Sequence, residues 1–365
     1  AERIKIEHVV RGDKATVFFK DEAGNELAHI NIGWNGKNLY AKFEGAREKA
    51  ERLAAILNAL GADVEARKYG GAWYVGLYTD SIVAIRRKEW LEAVRAFVEE
   101  LYKRGIIGEG QRERLLREID AGPNVVEIAG VEMSVVLRER EVESGRSRWL
   151  EIQYRPGSAS TFDYTVRALK EAGLEEGLHF TAKRPEKDKP GYIYLKLPAG
   201  FWRLVELKRQ GVDWAERAIN RLKEMARARG FYDLLERYFK PAEEAETLDP
   251  KRVVVEDPES GIKIAIRDLR REWVDGRPRI IVEYEINGRV ETFSFTWRTI
   301  KGGEVRASVK LNEEKALVLA ALTGDESLRG KRGVATLHAK HLFAFARYKG
   351  IGWDLLWWYA RTLGE

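Results

Sequence analysis

Residues 111–139 have the sequence QRERLLREIDAGPNVVEIAGVEMSVVLRE, and this stretch decides the fold class. Its first part predicts an amphipathic helix that ends at Asp120-Ala121-Gly122, because glycine is a typical helix C-cap. The segment VVEIAGVEMSVVLRE follows directly and predicts a strand. A helix that leads straight into a strand predicts a fold that mixes helices and sheets.

The chain after this stretch continues with alternating strands and helices. The predicted elements are strand RWLEIQYR, a helix from Ser158 to Ala172 that ends at Gly173, strands HFTAKR and YIYLKL, and a helix at 199–210. Together with the helix before Gly122, they give the order αββαββα. Further helices are predicted at roughly 213–238.

The chain before this stretch already shows a similar order. Alternating runs in IKIEHVV, ATVFFK, ELAHINI and NLYAKF predict strands, and Asn35-Gly36 fits a two-residue type I′ turn between the last two. A helix then ends at Gly61, strands ADVEARKY and AWYVGLY are joined by Gly70-Gly71, and a long helix runs over about 81–104. Gly61 and Gly173 occupy equivalent places, so we predict a duplicated module.

The last third of the chain is predicted to be a separate α+β domain. The segment PAEEAETLDPKR, with two prolines and an acidic run, predicts a linker at 241–250. Beyond it, four or five antiparallel strands with turns at Asp275-Gly276 and Asn287-Gly288 precede three helices that start near Leu311, Thr336 and Ile351. The predicted domains are a first module at 1–108, a second module with a helical extension at 109–240, the linker, and a C-terminal domain at 251–365.

Composition excludes several classes of protein. The 365 residues include no cysteine, which excludes disulfides, thiolate metal sites and thiol nucleophiles, and 44% are apolar, enough for folded cores. No apolar run reaches membrane-spanning length and the N-terminus lacks a signal-peptide layout, so we expect a cytoplasmic protein with no membrane partner. The charged fraction of 33% is typical of heat-stable proteins. No Walker loop, GxGxxG or GxSxG motif supports nucleotide hydrolysis, hydride transfer or serine hydrolase chemistry.

Charge and two predicted hairpins point to nucleic acid. The formal charge of +6 and the pI near 9.2 favour a polyanionic partner, and nucleic-acid binding needs cations for phosphates and flat rings for bases. The first hairpin carries Tyr74 and Tyr78 beside the candidate residues Arg67, Lys68, Tyr69 and Trp73. The second carries Tyr194 beside the candidates Lys183, Arg184, Lys187, Lys189, Tyr192 and Lys196, with Arg148, Gln153 and Arg155 on a neighbouring strand. The alternative is that the rings form a sheet core and the charges its solvated face.

The helix LLREIDAG at residues 115–122, within the order αββαββα, resembles the signature helix of the LAGLIDADG homing-endonuclease family. The resemblance covers roughly residues 111–210 and more loosely 14–104. It implies tandem homing-endonuclease-like modules that form a saddle on duplex DNA, with sheets in the major groove. In that family the signature helices pair, and their terminal carboxylates hold divalent metal at the scissile phosphates.

This chain departs from the family at the catalytic position, because Gly122 and Pro123 stand where the carboxylate is expected. No catalytic residue is therefore predicted; Asp120 comes closest, and the first module offers it no partner for a two-metal site. We predict a DNA-binding protein without cleavage activity and without a cofactor. The alternative is an endonuclease that uses Mg²⁺ with Asp120, Asp325 or Glu326.

Two further features bear on function. His338 and His341 lie three apart on one predicted helix and could face a metal, but no third ligand is evident. A third possible function is a protein-interaction or ribosome-associated factor that exposes Trp353, Trp357 and Trp358.

The segment GKRGVATLHAKHLFAFARYKGIGWDLLWWYARTL at residues 330–363 resembles the PaRep repeat-protein family of hyperthermophilic archaea, in its 2b group, and residues 126–139 are similar to it too. This resemblance implies an association with mobile or repeated archaeal genes and assigns no site residues. Duplex DNA is favoured over RNA as the partner.

Overall fold

The computed structural model describes residues 4–142, 145–156, 158–186, 191–257, 261–301 and 303–363. The chain forms two compact units, which we call the first unit (residues 1–125 and 221–232) and the second unit (residues 126–220 and 233–365). Each unit combines antiparallel sheets with helices, which confirms the predicted α+β class. None of the described helices combines the length and the hydropathy needed to span a bilayer.

The first unit is built on a six-stranded antiparallel sheet. Its elements are β1 (Lys5–Arg11), β2 (Lys14–Lys20), β3 (Glu26–Trp34), β4 (Leu39–Gly45), α1 (Arg47–Ala59), β5 (Arg67–Tyr69), β6 (Ala72–Tyr78), α2 (Thr79–Ala84), α3 (Lys88–Lys103) and α4 (Glu109–Ala121). The strand order is β1-β2-β3-β4-β6-β5. Alternating residues such as Val75 and Leu77 of β6 are buried with Leu57 of α1 and Phe97 of α3 in one core. The residues between them face the other side of the sheet.

The second unit begins with a five-stranded sheet and its helices. Its first elements are β7 (Val125–Ile128), β8 (Val131–Val142), β9 (Gly145–Tyr154), α5 (Ala159–Glu171), β10 (Phe180–Lys183), β11 (Tyr192–Leu195), α6 (Ala199–Arg209), α7 (Asp213–Arg229) and α8 (Tyr232–Glu244). Helix α7 begins in the second unit, and its residues from 221 onward belong to the first unit. The strand order is β10-β11-β9-β8-β7. The helix predicted from Ser158 is confirmed, and Ser158 is its N-cap, since its side chain accepts a hydrogen bond from the Thr161 N–H at 3.1 Å.

The rest of the second unit contains two further antiparallel sheets. Its elements are β12 (Val254–Glu256), β13 (Lys263–Val274), β14 (Arg277–Ile286), β15 (Arg289–Thr296), β16 (Arg298–Thr299), β17 (Val305–Leu311), α9 (Glu313–Thr323), β18 (Gly333–His338), α10 (Ala339–Ala346) and α11 (Gly352–Thr362). The sheets have the orders β12-β13-β14-β15 and β16-β17-β18. Asp275 and Asn287 adopt positive φ before Gly276 and Gly288, which confirms both predicted hairpin turns.

The order strand, helix, strand, helix, helix occurs in three copies: β4-α1-β6-α2-α3, β9-α5-β11-α6-α7 and β17-α9-β18-α10-α11, with β5 and β10 inserted before the second strand of the first two. In each copy the two strands are antiparallel neighbours. Each first helix ends before a glycine of positive φ: Gly61 at 101°, Gly173 at 87° and Gly324 at 69°. The predicted duplication is confirmed, and a third copy extends it.

Some predicted elements are wrong in detail. The helix predicted over 81–104 is two helices, because Ile85 and Arg87 are extended between α2 and α3. Asn35 and Gly36 belong to a four-residue loop between β3 and β4, so they do not form a two-residue turn. The helix predicted near Thr336 begins at Ala339, after Thr336 pairs in β18.

The compact units divide the chain elsewhere than the predicted domain boundaries. Helix α4, assigned to the module that starts at 109, buries Leu115 and Ile119 in the core of the first unit. The segment predicted as a linker at 241–250 continues α8, buries Ala242 and Ala245, and pairs Leu248 with Tyr348 by a β-bridge. Both differences from the prediction arise because apolar side chains of these two segments are buried against other parts of the chain.

Replacing Ile119 by alanine tests whether α4 belongs to the core of the first unit. Because Ile119 is fully buried, we expect a loss of about 2–5 kcal/mol in the free energy of unfolding, measured by denaturant titration. The control is Arg117→Ala on the exposed face of α4, which should cost less than about 0.5 kcal/mol. Equal effects of the two substitutions would place α4 outside the core.

Candidate nucleic-acid interface

The sheet of the second unit presents a polar and aromatic face on the side away from its core. Gln153 of β9 lies opposite Tyr194 of β11, and Lys183 of β10 lies opposite Tyr192 of β11. Directly opposed residues point to the same side of a sheet, while the intervening Ile152 and Ile193 are buried. We call Gln153, Arg155, Lys183, Tyr192 and Tyr194 the second-unit face.

Contacts within the second-unit face hold its side chains together. The Tyr192 and Tyr194 rings meet edge to face at 5.0 Å between centroids. Arg155 Nη2 donates to the Tyr194 hydroxyl at 3.3 Å and to Gln153 Oε1 at 3.4 Å. The face therefore carries rings, an amide and two cations side by side.

The same side of the sheet continues along the hairpin of β8 and β9. Arg138 lies opposite Trp149, and both contact Glu151: Arg138 Nε at 3.0 Å and Trp149 Nε1 at 3.3 Å from its carboxylate oxygens. Neither Arg138 nor Trp149 was predicted as a site residue. The sequence could have indicated them, because Trp149 alternates with the apolar Leu150 in β9 and Arg138 with the apolar Leu137 in β8.

Three other predicted residues of this sheet lie elsewhere, and two more are not described. Arg148 alternates with Trp149, so it points to the core side, where it forms an ion pair with Glu139. Arg184 pairs with Asp163 of α5 at 2.7 Å, and Lys196 donates to the Gly177 carbonyl at 2.5 Å. Lys187 and Lys189 lie outside the described residues.

The first unit has a second exposed sheet face, which we call the first-unit face. It comprises Tyr40 and Lys42 of β4, Arg67 of β5, and Tyr74 and Tyr78 of β6. Tyr40 lies opposite Tyr78, and Arg67 lies opposite Tyr74. Tyr78 is 65% exposed, and the Lys42 ammonium lies 5.9 Å from the Tyr40 ring centroid. Tyr40 and Lys42 were not predicted, although their alternation in NLYAKF was visible.

Gly33 and Gly76 have no side chain, so the Tyr40 and Tyr74 rings can pack over them on the first-unit face. A Cβ at Gly33 would lie 2.5 Å from the Tyr40 ring carbon Cζ, and a Cβ at Gly76 would lie 2.5 Å from the Tyr74 ring. Burial raises the pKa of the Tyr74 phenol, and its neighbours Tyr78 and Tyr40 add to the effect. The Tyr74 phenol is therefore a neutral hydrogen-bond donor near pH 7.

The other residues predicted on the first hairpin divide between the two sides. Lys68 lies opposite Trp73, on the side away from Arg67. The Trp73 ring packs against the core, and the Arg47 guanidinium lies 4.9 Å from its centroid. Tyr69 is 86% exposed beside the turn at Gly70 and Gly71.

The C-terminal end of α4, which is followed by Gly122 and Pro123, is covered by three arginines of the first unit. Arg86 donates to the carbonyls of residues 119 and 120 at 2.8 and 3.2 Å. Arg221 of α7 donates to those of 121 and 123 at 2.6 Å each, and Arg229 donates to that of 122 at 2.9 Å. Five successive carbonyls that have no partner within the helix thus receive guanidinium protons.

Carboxyl groups near this helix end are already engaged. Asp120 forms an ion pair with Arg95 at 2.5 Å. Burial raises the pKa of the Glu118 carboxyl, although Arg114 and Arg229 oppose the effect. Gly122 has φ 74° and ψ −163°, and a Cβ there would lie 3.2 Å from Arg86 Nη1. A side chain at Gly122 would be strained in this conformation.

His338, His341 and Asp325 form hydrogen bonds and ion pairs with one another and with their neighbours in the second unit. His341 Nδ1 accepts from the His338 N–H at 2.9 Å, and its Nε2 bonds Asp325 at 2.9 Å. Asp325 also binds the Lys340 ammonium at 2.5 Å, and these bonds hold its carboxyl pKa far below the ordinary value. Among the described residues, no three acidic or histidine side chains are grouped so as to hold a metal ion.

Comparison with known families identifies the chain's relatives. The family model described as PaRep2b protein matches residues 1–192 and again residues 187–363. The chain belongs to the PaRep2b family. Two successive matches to one model agree with the internal repetition of the PaRep2b fold seen above. A search of curated proteins finds no match.

Solved structures that match are LAGLIDADG-type nucleases, at low similarity. A mutant of I-SmaMI is 12% identical, with 62% of this chain and 94% of that chain covered and a TM-score of 0.18. The LAGLIDADG meganuclease I-AabMI, bound to uncleaved DNA, is 9% identical, with 57% and 88% covered and a TM-score of 0.20. Superpositions at such TM-scores carry no argument about what the PaRep2b chain does.

Replacing Arg221 by alanine tests the arginine cap of α4. The substitution leaves the carbonyls of Ala121 and Pro123 without their donors in a partly buried site. We expect the free energy of unfolding to fall by about 2–4 kcal/mol, with a lower Tm in calorimetry. Arg217→Ala, at an exposed position of α7, is the matched control and should leave the Tm unchanged. A cap that contributes nothing would give two equal melting curves.

Proposed function

We propose that the protein binds duplex DNA through its two exposed sheet faces and does not cut it. The observation that carries the proposal is the second-unit face, where Lys183, Arg155 and Gln153 stand beside two tyrosines on one side of an antiparallel sheet. Cations contact phosphates, whereas amide and guanidinium groups can read base edges. The first-unit face offers a similar combination of cations and rings.

The hairpin of β8 and β9 supports duplex DNA as the partner. Strands β8 and β9 pair over nine residues each, from Ser134 to Val142 and from Gly145 to Gln153, so the paired ribbon extends about 30 Å at roughly 3.4 Å per residue. A two-stranded ribbon fits the major groove of B-DNA, and Arg138 and Trp149 lie on the exposed side of this one.

The end of α4 supports binding without cleavage. A divalent cation at this helix end would have to replace three guanidinium groups that already satisfy the carbonyls. Asp120, the acidic residue nearest to the helix end, is paired with Arg95. An association with mobile or repeated archaeal genes, and a cytoplasmic location, remain predictions from the sequence.

Two pairs of neighbouring cations make a charge-matched test of the faces. Arg67 and Lys183 belong to the exposed faces, whereas Lys68 and Arg184 are adjacent in sequence and point to the opposite sides. The double variant Arg67→Ala/Lys183→Ala should weaken duplex binding and reduce the slope of log K against log salt by up to about 2, roughly one for each phosphate that is no longer neutralised. Fluorescence anisotropy over a salt series measures both quantities.

The control is the double variant Lys68→Ala/Arg184→Ala, which removes the same net charge and should bind almost as the parent protein does. Equal weakening in the two variants would mean that net charge, and not these faces, holds the DNA. A parent protein that binds neither duplex nor single-stranded probes at low salt would refute the proposal altogether.

Incubation of supercoiled plasmid with Mg²⁺ or Mn²⁺ separates binding from cleavage. We expect no nicked or linear product, because the Asp120 carboxylate at the end of α4 is held by Arg95. If nicking occurs and Asp120→Ala abolishes it, the protein is a metal-dependent endonuclease and the proposal of binding alone is wrong.

A further inference from the structure

The second unit contains a pocket whose lining includes none of the residues of the sheet faces. It is an open pocket of about 820 Å³ between the turn that follows α5, helix α6 and helix α11. This volume is within the range of about 300 to 1,000 Å³ typical of small-molecule sites. Its polar and aromatic wall includes Lys170, His179, Arg203, Trp357 and Arg361.

His179 gives the wall a hydrogen-bond donor that lacks an acceptor. The side chain is 6% exposed, and its Nδ1 accepts from the Glu175 N–H at 2.8 Å. A neutral imidazole that accepts at Nδ1 carries its proton on Nε2. Burial, with the charges of Arg203 and Arg361, lowers the pKa of His179 to about 4, so the ring is neutral at pH 7. Within the described part of the chain, its Nε2 has no hydrogen-bond partner.

The charged side chains that act on the His179 ring are those of Arg203 and Arg361, and both are positive. Arg203 is held in place by bonds from Nε to the Gly173 carbonyl at 2.8 Å and from Nη1 to Glu206 at 2.5 Å. Lys170 is paired with Glu176 at 2.7 Å. Arg361 is exposed and forms no ion pair with any described residue, so its charge is available to a ligand. Three carboxylates also line the pocket, and two of them, Glu176 and Glu206, pair with Lys170 and Arg203, so Arg361 carries the positive charge that an anionic oxygen of a ligand would meet.

The remaining wall is aromatic. The Trp357 ring meets the His179 ring edge to face at 5.1 Å and stacks on Trp353 at 5.9 Å with an angle of 21°. Arg209 lies 5.3 Å from the Trp353 ring. Indole faces stack on the flat rings of nucleobases, and neighbouring cations contact phosphates.

We propose that this pocket binds a nucleotide, with its phosphate at Arg361 and Arg203 and its base against Trp357. A phosphate oxygen that enters beside Trp357 would supply the acceptor that His179 Nε2 lacks. The nucleotide can be free or can be the terminal nucleotide of a strand, since both present the same chemistry. This site does not depend on the sheet faces and stands or falls separately from duplex binding.

Isothermal titration with adenosine 5′-monophosphate and with inorganic phosphate tests the site in the full chain. Removal of the Arg361 guanidinium in Arg361→Gln should raise the Kd for the nucleotide about tenfold or more. Arg361 is on the surface, so this variant should fold normally. Arg217→Gln removes the same charge from a position outside the pocket and should leave the Kd unchanged. Equal weakening in both variants would overturn the site.

The aromatic wall has its own test. Trp357→Ala should remove the preference for the nucleotide over inorganic phosphate, while Trp357→Phe should keep most of it. A parent protein that binds phosphate as tightly as the nucleotide would overturn the role of Trp357, and one that binds neither would overturn the whole proposal.

Competition distinguishes the source of the ligand and separates this proposal from duplex binding. A 5′-phosphorylated oligonucleotide that displaces the mononucleotide more strongly than its unphosphorylated form identifies a strand end. An oligonucleotide that does not displace it identifies the free nucleotide. Duplex binding should be unchanged in Arg361→Gln; if it falls as far as nucleotide binding does, the pocket is part of the DNA surface and is not a separate site.

Discussion

Three guanidinium groups at the end of α4 form the interaction on which the first unit depends. A helix end exposes carbonyls that have no partner within the helix. Arg86, Arg221 and Arg229 bind the last three carbonyls of α4 and the two that follow the helix. Two of these arginines belong to α7, about 100 residues further along the chain. The chain therefore returns to the first unit at 221–232 after it has begun the second. These hydrogen bonds join residues 221–229 of α7 to the end of α4 within the first unit.

The same three arginines affect whether the C-terminal end of α4 can bind a cation. Cations are favoured at the C-terminal end of a helix because the helix dipole is negative there. The guanidinium groups of Arg86, Arg221 and Arg229 use that preference. The guanidinium groups that stabilise the first unit thus also oppose a divalent cation at this point. A fold built from repeated strand pairs supplies exposed sheet faces more than once.

Features set within a few residues could be predicted from the sequence. The glycines that end α1 and α5, the Ser158 cap and the turn at Asp275-Gly276 need only local backbone preferences. Strand alternation could also have separated Arg148 from Gln153, because an odd spacing of five places them on opposite sides of β9. The arginine cap could not be foreseen, since nothing local to Arg221 indicates which distant carbonyls it will meet. The packing of α4 depends on burial against distant segments in the same way.

The conformation of Gly122 makes a side chain at the end of α4 difficult to introduce. Its backbone angles suit glycine, and the space where a side chain would begin is occupied by Arg86. An aspartate introduced there by one mutation would meet backbone strain and a guanidinium that already holds the helix end, and it would reach no metal. Removing the arginines first would weaken the fold before any catalytic gain. Introducing a carboxylate at residue 122 therefore costs stability at the end of α4.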